Sequence, residues 1–142
     1  IRKKFEKEGL KDSMVILKKT KRNEFLSHIN VYDKIDICLD TFPFNGVTTT
    51  IEALWKNVPV LTKAGYNFNS RCGESINKNL NMEQLIAKDE DDYIQKVISL
   101  TNNTDEYINL RKSIFLDAIK SPLFNTEDYS KSFFESLRKI VQ

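Results

Sequence analysis

The stretch IDICLDTFPFNGVTTTIEALWKNVPVLTKAG, residues 35–65, decides the fold of this chain. It begins with residues 35–39, an apolar run of strand length. A loop follows, and from Thr48 or Thr49 the apolar residues recur at helical spacing until a proline breaks the helix. A second apolar run over 58–62 has the length of a buried strand. Strand, helix and strand with short connections predict parallel strands covered by a helix.

The same alternation continues on both sides of this stretch. Upstream, residues 1–8 are helix-like, 14–17 form a short apolar run, and 23–29 have the pattern of a capped helix. Downstream, a polar helix over 70–77 leads to another apolar run over 85–87. These patterns predict the α/β class, with a Rossmann-like parallel sheet flanked by helices.

Three amphipathic helices are predicted beyond this α/β part. Asp89, Asn103 or Thr104, and Asn125 or Thr126 stand where N-cap residues belong. The apolar residues of each helix recur on one face, which predicts that this face packs in the core. The predicted core faces are Tyr93, Ile94, Val97 and Ile98; Tyr107, Ile108, Ile114, Phe115 and Ala118; and Tyr129, Phe133, Phe134, Leu137, Ile140 and Val141.

The length and composition suit one domain. A chain of 142 residues, 40% of them apolar, can build one ordinary core. We expect a single partial domain over residues 1–142, with an α/β part over 1–88 and a helical tail over 89–142. The first residues read as the middle of a helix without a cap, which indicates truncation at the N-terminal end.

The composition also argues against several classes of protein. Lys and Arg number 22 against 20 Asp and Glu, and the basic residues 1–22 lack the interleaved aromatics of a nucleic-acid site. No apolar run approaches the roughly 18 residues of a membrane span. The two cysteines, Cys38 and Cys72, provide neither a disulfide framework nor a metal-ligand spacing. We expect a cytoplasmic chain that binds no metal, nucleic acid or membrane.

The loop after the first strand carries the chemistry. In open parallel sheets, ligands collect where strand ends meet helix N-termini. Pro43 sets a turn, Asn45 and Gly46 tolerate positive φ, and Thr48–Thr50 supply hydroxyls where the helix begins. The unpaired N–H groups of the first turn favour a diphosphate, and Glu52 faces the same mouth, where it can accept hydrogen bonds from a ribose. The alternative from the residues alone is a well-capped helix start without a ligand.

A family resemblance extends this interpretation. The opening stretch, followed by SRCGESI, LIAKDEDDYI and SPLFNTEDYSKSFFESL, resembles the C-terminal catalytic half of the nucleocytoplasmic protein O-glycosyltransferases, glycosyltransferase family 41. These are the O-linked N-acetylglucosamine transferase and its plant and bacterial relatives, including the Spindly-type protein O-fucosyltransferase. The similarity runs in order from about Leu26 to the C-terminus. It implies the C-terminal domain of a GT-B glycosyltransferase.

The resemblance implies roles for individual residues. In the family, a histidine eighteen residues before the glycine of the phosphate loop packs on the nucleotide base, and His28 stands at that distance from Gly46. The alternative for His28 is a surface imidazole at a helix end. The family's ribose contact is a carboxylate at the position of Glu52. The nucleotide-sugar site predicted in this way consists of His28, Asn45, Gly46, Val47, Thr48, Thr49, Thr50 and Glu52.

The resemblance also implies a reaction. This reaction is the metal-independent, inverting transfer of N-acetylglucosamine from UDP-GlcNAc to Ser or Thr of a protein. Transfer from GDP-fucose stays open, because Val47 stands where the N-acetylglucosamine enzymes often have histidine. The family's catalytic candidates lie upstream, so we expect no catalytic residue in this chain and no activity from it alone. The implied partners are the N-terminal catalytic domain and, in many members, tetratricopeptide repeats.

Two other classes of protein fit parts of the pattern. A phospho-accepting receiver domain also has an apolar strand that ends in aspartate. Here, however, Asp40 and Pro43 are too close together, and no paired carboxylates follow residues 14–17 to bind Mg²⁺. The other class is a non-catalytic domain that binds proteins through its C-terminal helices.

Overall fold

A three-stranded parallel sheet lies at the centre of the fold. The computed structural model describes residues 2–7, 9 and 28–141. The strands lie in the order β1-β2-β3, and both neighbouring pairs run parallel. They are β1 (Cys38–Leu39), β2 (Val60–Lys63) and β3 (Ile86–Ala87). The predicted α/β class with a parallel sheet is therefore confirmed.

Helices occupy most of the remaining described chain, including the predicted helical C-terminal part. The predicted strand over 14–17 and the start of the predicted helix over 23–29 lie outside the described residues. The α-helices that are complete within the described residues are α1 (Arg2–Lys7), α2 (Thr48–Trp55), α3 (Cys72–Asn79), α4 (Glu90–Asn102), α5 (Thr104–Lys120) and α6 (Thr126–Val141).

The ends of α2 and α3 follow from local hydrogen bonds. After α2, Asn57 adopts a left-handed conformation with φ of 56°, and the N–H of Val58 donates to the carbonyl of Ala53 at 2.9 Å. The chain can then enter β2. Before α3, Asn67 and Ser70 cap each other's backbone N–H groups at 3.0 and 3.1 Å. This pair closes a 3-10 turn first, so α3 begins two residues later than the predicted start at residue 70.

The three predicted N-cap positions of the C-terminal helices are confirmed. Asp89 accepts a hydrogen bond from the N–H of Asp92 at 2.8 Å. Asn103 and Asn125 make the equivalent bonds, at 3.3 and 3.1 Å, to N–H groups three residues later. Each cap satisfies a donor that the first turn of a helix leaves unpaired, so helices α4, α5 and α6 begin where their side chains specify.

The core surrounds β2. Val60, Leu61 and Thr62 are all buried, as expected for a central parallel strand covered on both faces. A cluster of buried apolar side chains joins helices α2 to α5 below this strand. Its members are Leu54, Ile76, Leu80, Met82, Leu85, Leu100, Leu110, Ile114 and Ala118.

The predicted core face of α6 is wrong for the described part of the chain. Within that part, no residue of α6 is buried, and Phe134 and Ile140 expose 62% and 80% of their surface. Ile94 of α4 and Ile108 of α5, also predicted as core, are exposed as well. Amphipathic spacing shows that a helix has an apolar face, but it does not specify which surface covers that face. Here the helix contacts the short turn Pro122–Phe124 that precedes it.

Candidate functional site

The loop between β1 and α2 is held by its own polar groups. The hydroxyl of Thr41 donates to the carbonyl of Phe44 at 2.6 Å, and Asn45 Nδ2 donates to the carbonyl of Thr41 at 2.8 Å. The backbone N–H of Asn45 donates to the carbonyl of Asn69, 2.9 Å away in the neighbouring loop. Asn45 is therefore buried and holds the loop through hydrogen bonds. Its side-chain Oδ1 has no partner among the described residues.

Gly46 packs closely against the first turn of α2 and has no special backbone angle. A positive φ was predicted as the use of Asn45 and Gly46, but neither has one. A Cβ at Gly46 would instead lie 2.5 Å from Thr49 Oγ1 and 3.1 Å from Thr50 Oγ1. The backbone N–H of Gly46 donates to Asp40 Oδ1 at 2.7 Å. A side chain at this position would thus require the Thr49 hydroxyl to move and the Thr50 hydroxyl to shift by a few tenths of an ångström.

The first turn of α2 has no side-chain cap. Its N-cap is Val47, which offers no acceptor, and α2 begins at Thr48. Within the described residues, the backbone N–H groups of Thr48, Thr49 and Thr50 have no hydrogen-bond acceptor. Thr48 and Thr49 are exposed, whereas Thr50 is buried and its hydroxyl donates to the carbonyl of Gly46 at 3.0 Å. The helix therefore presents open N–H groups and two exposed hydroxyls.

Glu52 and His28 are brought together, although 24 residues separate them. His28 Nε2 lies 3.0 Å from Glu52 Oε2, a distance at which a protonated Nε2 donates a hydrogen bond. The hydroxyl of Tyr32 lies 3.2 Å from the same oxygen, and the rings of Tyr32 and His28 meet edge to face. The side chain of Glu52 is only 16% exposed, against 43% for His28. The Glu52 carboxylate is thus oriented by two ring side chains.

A cavity of about 210 Å³ lies between the end of β1 and the start of α2. None of the described residues that line it is Lys or Arg, so among the groups at the cavity it is the N-terminus of α2 that favours an anion. Gly46, Thr49 and Thr50 line the cavity, while Val47 and Thr48 border the same helix end outside it. The other lining residues are Tyr32, Cys38, Leu39, Asp40, Thr41 and Val60.

Burial raises the pKa of three groups in or near this cavity, namely Tyr32, Cys38 and Tyr93. Burial, followed by the hydrogen bond to Glu52, raises the pKa of Tyr32 far above its ordinary value. Burial and the nearby charge of Asp40 raise the pKa of Cys38 to about 11. The same two causes raise the pKa of Tyr93 to about 12. Near neutral pH, Tyr32 and Tyr93 are hydrogen-bond donors, and Cys38 is a thiol with little nucleophilic character.

The arrangement is suited to binding an anion. In residues 2–7, 9 and 28–141, no group of three or more His, Cys, Asp or Glu side chains could hold a metal ion. No described helix has the length and apolar character needed to cross a membrane. Hydroxyl-bearing side chains and Asp40 line the cavity, whereas Glu52 and His28 are not among its lining residues. Groups of this kind can bind and orient a ligand, and the described chain contributes no activated nucleophile at this place.

Two residues of the site were not predicted from the sequence as ligand-site residues. Tyr32 stands four residues after His28, so the helical spacing places both on one face, and this spacing was the available signal. Asp40 was considered only as a phospho-acceptor. Its contact with Gly46 depends on how the loop closes, which no local pattern reveals.

Comparison with known proteins gives consistent results. A family model described as Glycosyl transferase family 41 matches residues 1–133. The chain is 36% identical over 105 residues, 74% of its length, to a protein of Solanum lycopersicum named "Probable UDP-N-acetylglucosamine--peptide N-acetylglucosaminyltransferase SPINDLY". It is 29% identical over 129 residues, 91% of its length, to the UDP-N-acetylglucosamine--peptide N-acetylglucosaminyltransferase of Caenorhabditis elegans. It covers 11% of each of these two relatives.

A solved structure shares the fold. It is a mutant of the O-GlcNAc transferase of Thermobaculum terrenum, with a TM-score of 0.80 and 24% sequence identity. The match covers 93% of this chain and 25% of the other. At this identity the likeness concerns the fold alone. The chain thus spans a quarter of the solved chain and about a tenth of the curated relatives.

Proposed function

The chain belongs to glycosyl transferase family 41, and we propose that it is the donor-binding portion of a protein O-glycosyltransferase that uses UDP-GlcNAc. The diphosphate of the nucleotide sugar binds at the N-terminus of α2, and the acceptor is a Ser or Thr of a protein. The names of the two relatives state a UDP-N-acetylglucosamine donor and a peptide acceptor, which supports this choice.

One observation carries the proposal: the open first turn of α2 faces the carboxyl end of a parallel strand. Helix N-termini of this kind bind phosphate because their N–H groups point at the anion and the helix dipole favours negative charge. Soluble proteins usually satisfy these donors with Ser, Thr, Asp or Asn at the N-cap, yet this chain has Val47 there. The exposed hydroxyls of Thr48 and Thr49 stand beside the same donors.

The nucleoside end of the donor is assigned to His28 and Glu52. A carboxylate that is 16% exposed and already held by Tyr32 can accept hydrogen bonds from ribose hydroxyls with little loss of side-chain entropy. The ring of His28 is 43% exposed at the rim, which leaves a face for stacking on the base.

The remaining parts of the enzyme are proposed from the family. The chain covers about a tenth of its curated relatives, and its cavity contributes no described cation for the leaving diphosphate. We therefore assign the catalytic residues to an N-terminal catalytic domain that acts with this one. In this scheme residues 1–88 bind the donor and residues 89–142 form the helical tail. Tetratricopeptide repeats, a cytoplasmic location and metal independence complete the proposal.

Calorimetric titration of the full-length gene product with nucleotides tests the proposal. UDP is expected to bind, with UMP and uridine progressively weaker because they lack one or both phosphoryl groups. UDP is expected to bind more tightly than GDP, and EDTA should leave the affinity unchanged. A GDP preference would replace the proposed donor by GDP-fucose.

A transfer assay completes the test. The full-length gene product is incubated with UDP-GlcNAc and a Ser- and Thr-rich acceptor protein, and the mass of the acceptor is measured by mass spectrometry. Addition of an N-acetylhexosamine is expected, and the 142-residue chain alone should give none. A folded full-length protein that binds neither diphosphate nucleotide would refute the donor-binding function.

A further inference from the structure

We infer that Asp40 is a positioning residue for the diphosphate loop, an inference that rests on the proposed function. The carboxylate of Asp40 accepts a hydrogen bond from the backbone N–H of Gly46 at 2.7 Å. It thereby fixes the Asn45–Gly46 peptide, two residues before the unpaired N–H groups of Thr48, Thr49 and Thr50. Asp40 orients the donors that bind the ligand without binding the ligand itself.

The carboxylate is well placed for this task. Asp40 is 8% exposed, and each of its two oxygens has a partner. Oδ1 accepts the N–H of Gly46, and Oδ2 accepts the hydroxyl of the buried Thr62 at 2.8 Å. Hydrogen bonds to a buried carboxylate are short and strong because the acceptor is charged. The loop is therefore tied to β2 through a single side chain.

The backbone of Asp40 is held independently of its side chain. Its N–H donates to the carbonyl of Leu61 at 2.9 Å, and its carbonyl accepts the hydroxyl of Tyr93 at 3.0 Å. Removing the carboxylate therefore leaves the end of β1 in place. The expected effect is confined to the peptide of Gly46 and to the donors that follow it.

Helix α3 holds the carboxylate from the other side. A Cβ at Gly73 would lie 2.6 Å from Asp40 Oδ2 and in contact with Thr62 Oγ1. A residue larger than glycine at this position must displace Thr62, the carboxylate or both. Gly73→Ala is thus a second way to disturb the pair of Asp40 and Thr62 without substituting a residue of the loop.

The charge of Asp40 explains why it positions the loop and does not bind the diphosphate. Two anions in one cavity repel each other, so a carboxylate serves here only if its oxygens face away from the ligand towards donors. An asparagine can replace it, because its amide oxygen accepts the Gly46 N–H and its amide nitrogen donates to the Thr62 hydroxyl oxygen. Asp40→Asn should therefore keep the loop and remove one repulsive charge.

The test compares UDP with uridine in the full-length gene product carrying Asp40→Ala or Asp40→Asn. Asp33→Ala, which removes a half-exposed carboxylate paired with Lys56, is the control. Asp40→Ala is expected to weaken the binding of UDP by about tenfold or more and that of uridine by less than about twofold. The reason is that only the N–H groups that donate to the diphosphate lose their order. Asp40→Asn and Asp33→Ala should bind UDP within about threefold of the wild type.

The outcomes separate this inference from the proposed function. Wild-type protein that binds neither UDP nor GDP refutes the proposed function. Wild-type binding with unchanged UDP affinity in Asp40→Ala, or equal losses for UDP and uridine, refutes the positioning role alone. Should Asp40→Ala fail to fold, as judged by circular dichroism, Gly73→Ala and Thr62→Val are titrated in its place. If either variant loses affinity for UDP but not for uridine, the inference is supported. If both variants keep the wild-type affinity for UDP, it is overturned.

Discussion

The hydroxyl of Tyr32 lies 3.2 Å from Glu52 Oε2 and also 3.2 Å from the carbonyl oxygen of Thr49. Tyr32 is buried beside α2, and its neutral hydroxyl can donate to either oxygen. The carboxylate proposed to bind ribose is therefore oriented from outside its own helix, by a residue 20 positions earlier in the chain.

Tyr32→Phe should weaken both folding and ligand binding. The change removes the donor to a largely buried carboxylate, which is expected to lower the free energy of unfolding by about 1 to 2 kcal/mol. Uridine affinity should fall a few-fold because Glu52 loses its orientation. Urea unfolding and nucleoside titration measure the two effects. Tyr107→Phe, which removes a hydroxyl beside the exposed Asp36, is the matched control. Equal losses in both variants would contradict this role for Tyr32.

The exposed threonines of the first turn of α2 should contribute to phosphate binding. Thr48→Ala and Thr49→Ala are each expected to reduce the binding free energy of UDP by about 1 to 2 kcal/mol, as for a lost hydrogen bond to a charged group. Thr101→Ala, where the hydroxyl donates only to carbonyls of its own helix, should leave UDP affinity unchanged. Calorimetric titration measures all three. If both first-turn variants bind UDP with wild-type affinity, the ligand does not bind at this helix end.

Ile114 and Ile119 provide a matched pair for the core. Both lie on α5, but Ile114 is 0% exposed and Ile119 is 42% exposed. Ile114→Ala leaves a cavity and should lower the free energy of unfolding by about 2 to 5 kcal/mol. Ile119→Ala should cost less than about 1 kcal/mol. Urea denaturation followed by circular dichroism distinguishes them, and similar costs would show that the core lies elsewhere on this helix.

Glu74 should stabilise the fold in a pH-dependent way. Hydrogen bonds from Lys78 and Arg71 hold its pKa below the ordinary value of about 4.5. Because the folded pKa is lowered, the stabilisation is present above about pH 4.5 and is lost as the pH falls through the folded value. Glu74→Gln should therefore cost about 1 kcal/mol at pH 7 and progressively less in acid.

The control for Glu74 is Glu127, which has the same spacing to Lys131 but is 78% exposed. Glu127→Gln should change the free energy of unfolding by less than about 0.5 kcal/mol at either pH. Unfolding curves measured between about pH 3 and about pH 7 make the comparison, because this interval spans the pKa of roughly 4 that carboxylic acids ordinarily have. A pH-independent cost of Glu74→Gln would show that packing, and not charge, is responsible.

Cys38 should be chemically inert in the folded protein. Burial and Asp40 raise its pKa to about 11, so very little thiolate is present near neutral pH. Alkylation by iodoacetamide at mildly alkaline pH should be about 100-fold slower than for a free thiol. The Cys72→Ser variant isolates this site, and mass spectrometry over time gives the rate. Labelling of Cys38 as fast as in urea-unfolded protein would contradict its burial.

The sequence predicts best those features that depend on neighbouring residues. The N-caps at Asp89, Asn103 and Asn125 each bond to an N–H three residues later, so their role is visible in the local pattern. The strand over 58–62 corresponds to β2, displaced by a residue or two, because a buried parallel strand has a continuous apolar run. Family similarity narrowed the expected ligand from a diphosphate to a nucleotide sugar, which local patterns do not specify.

The predicted face of α6 failed for a different reason. Its spacing is helical and its apolar stripe is real, but Tyr129, Phe133 and Phe134 remain exposed in the described chain. Burial depends on the presence of a complementary surface, which the sequence of one helix does not encode. The use of Gly46 was likewise misjudged, because a close approach between loop and helix depends on tertiary packing.

The sequence by itself determined the α/β class, the start of α2 after the loop that follows β1, and the caps of the later helices. These features rest on periodicity and on hydrogen bonds that span a few residues. Only the tertiary structure placed His28 and Tyr32 on Glu52 and turned the Asp40 carboxylate towards Gly46 and Thr62. Such contacts join residues far apart in the chain, and their geometry is decided by how the sheet and helices pack.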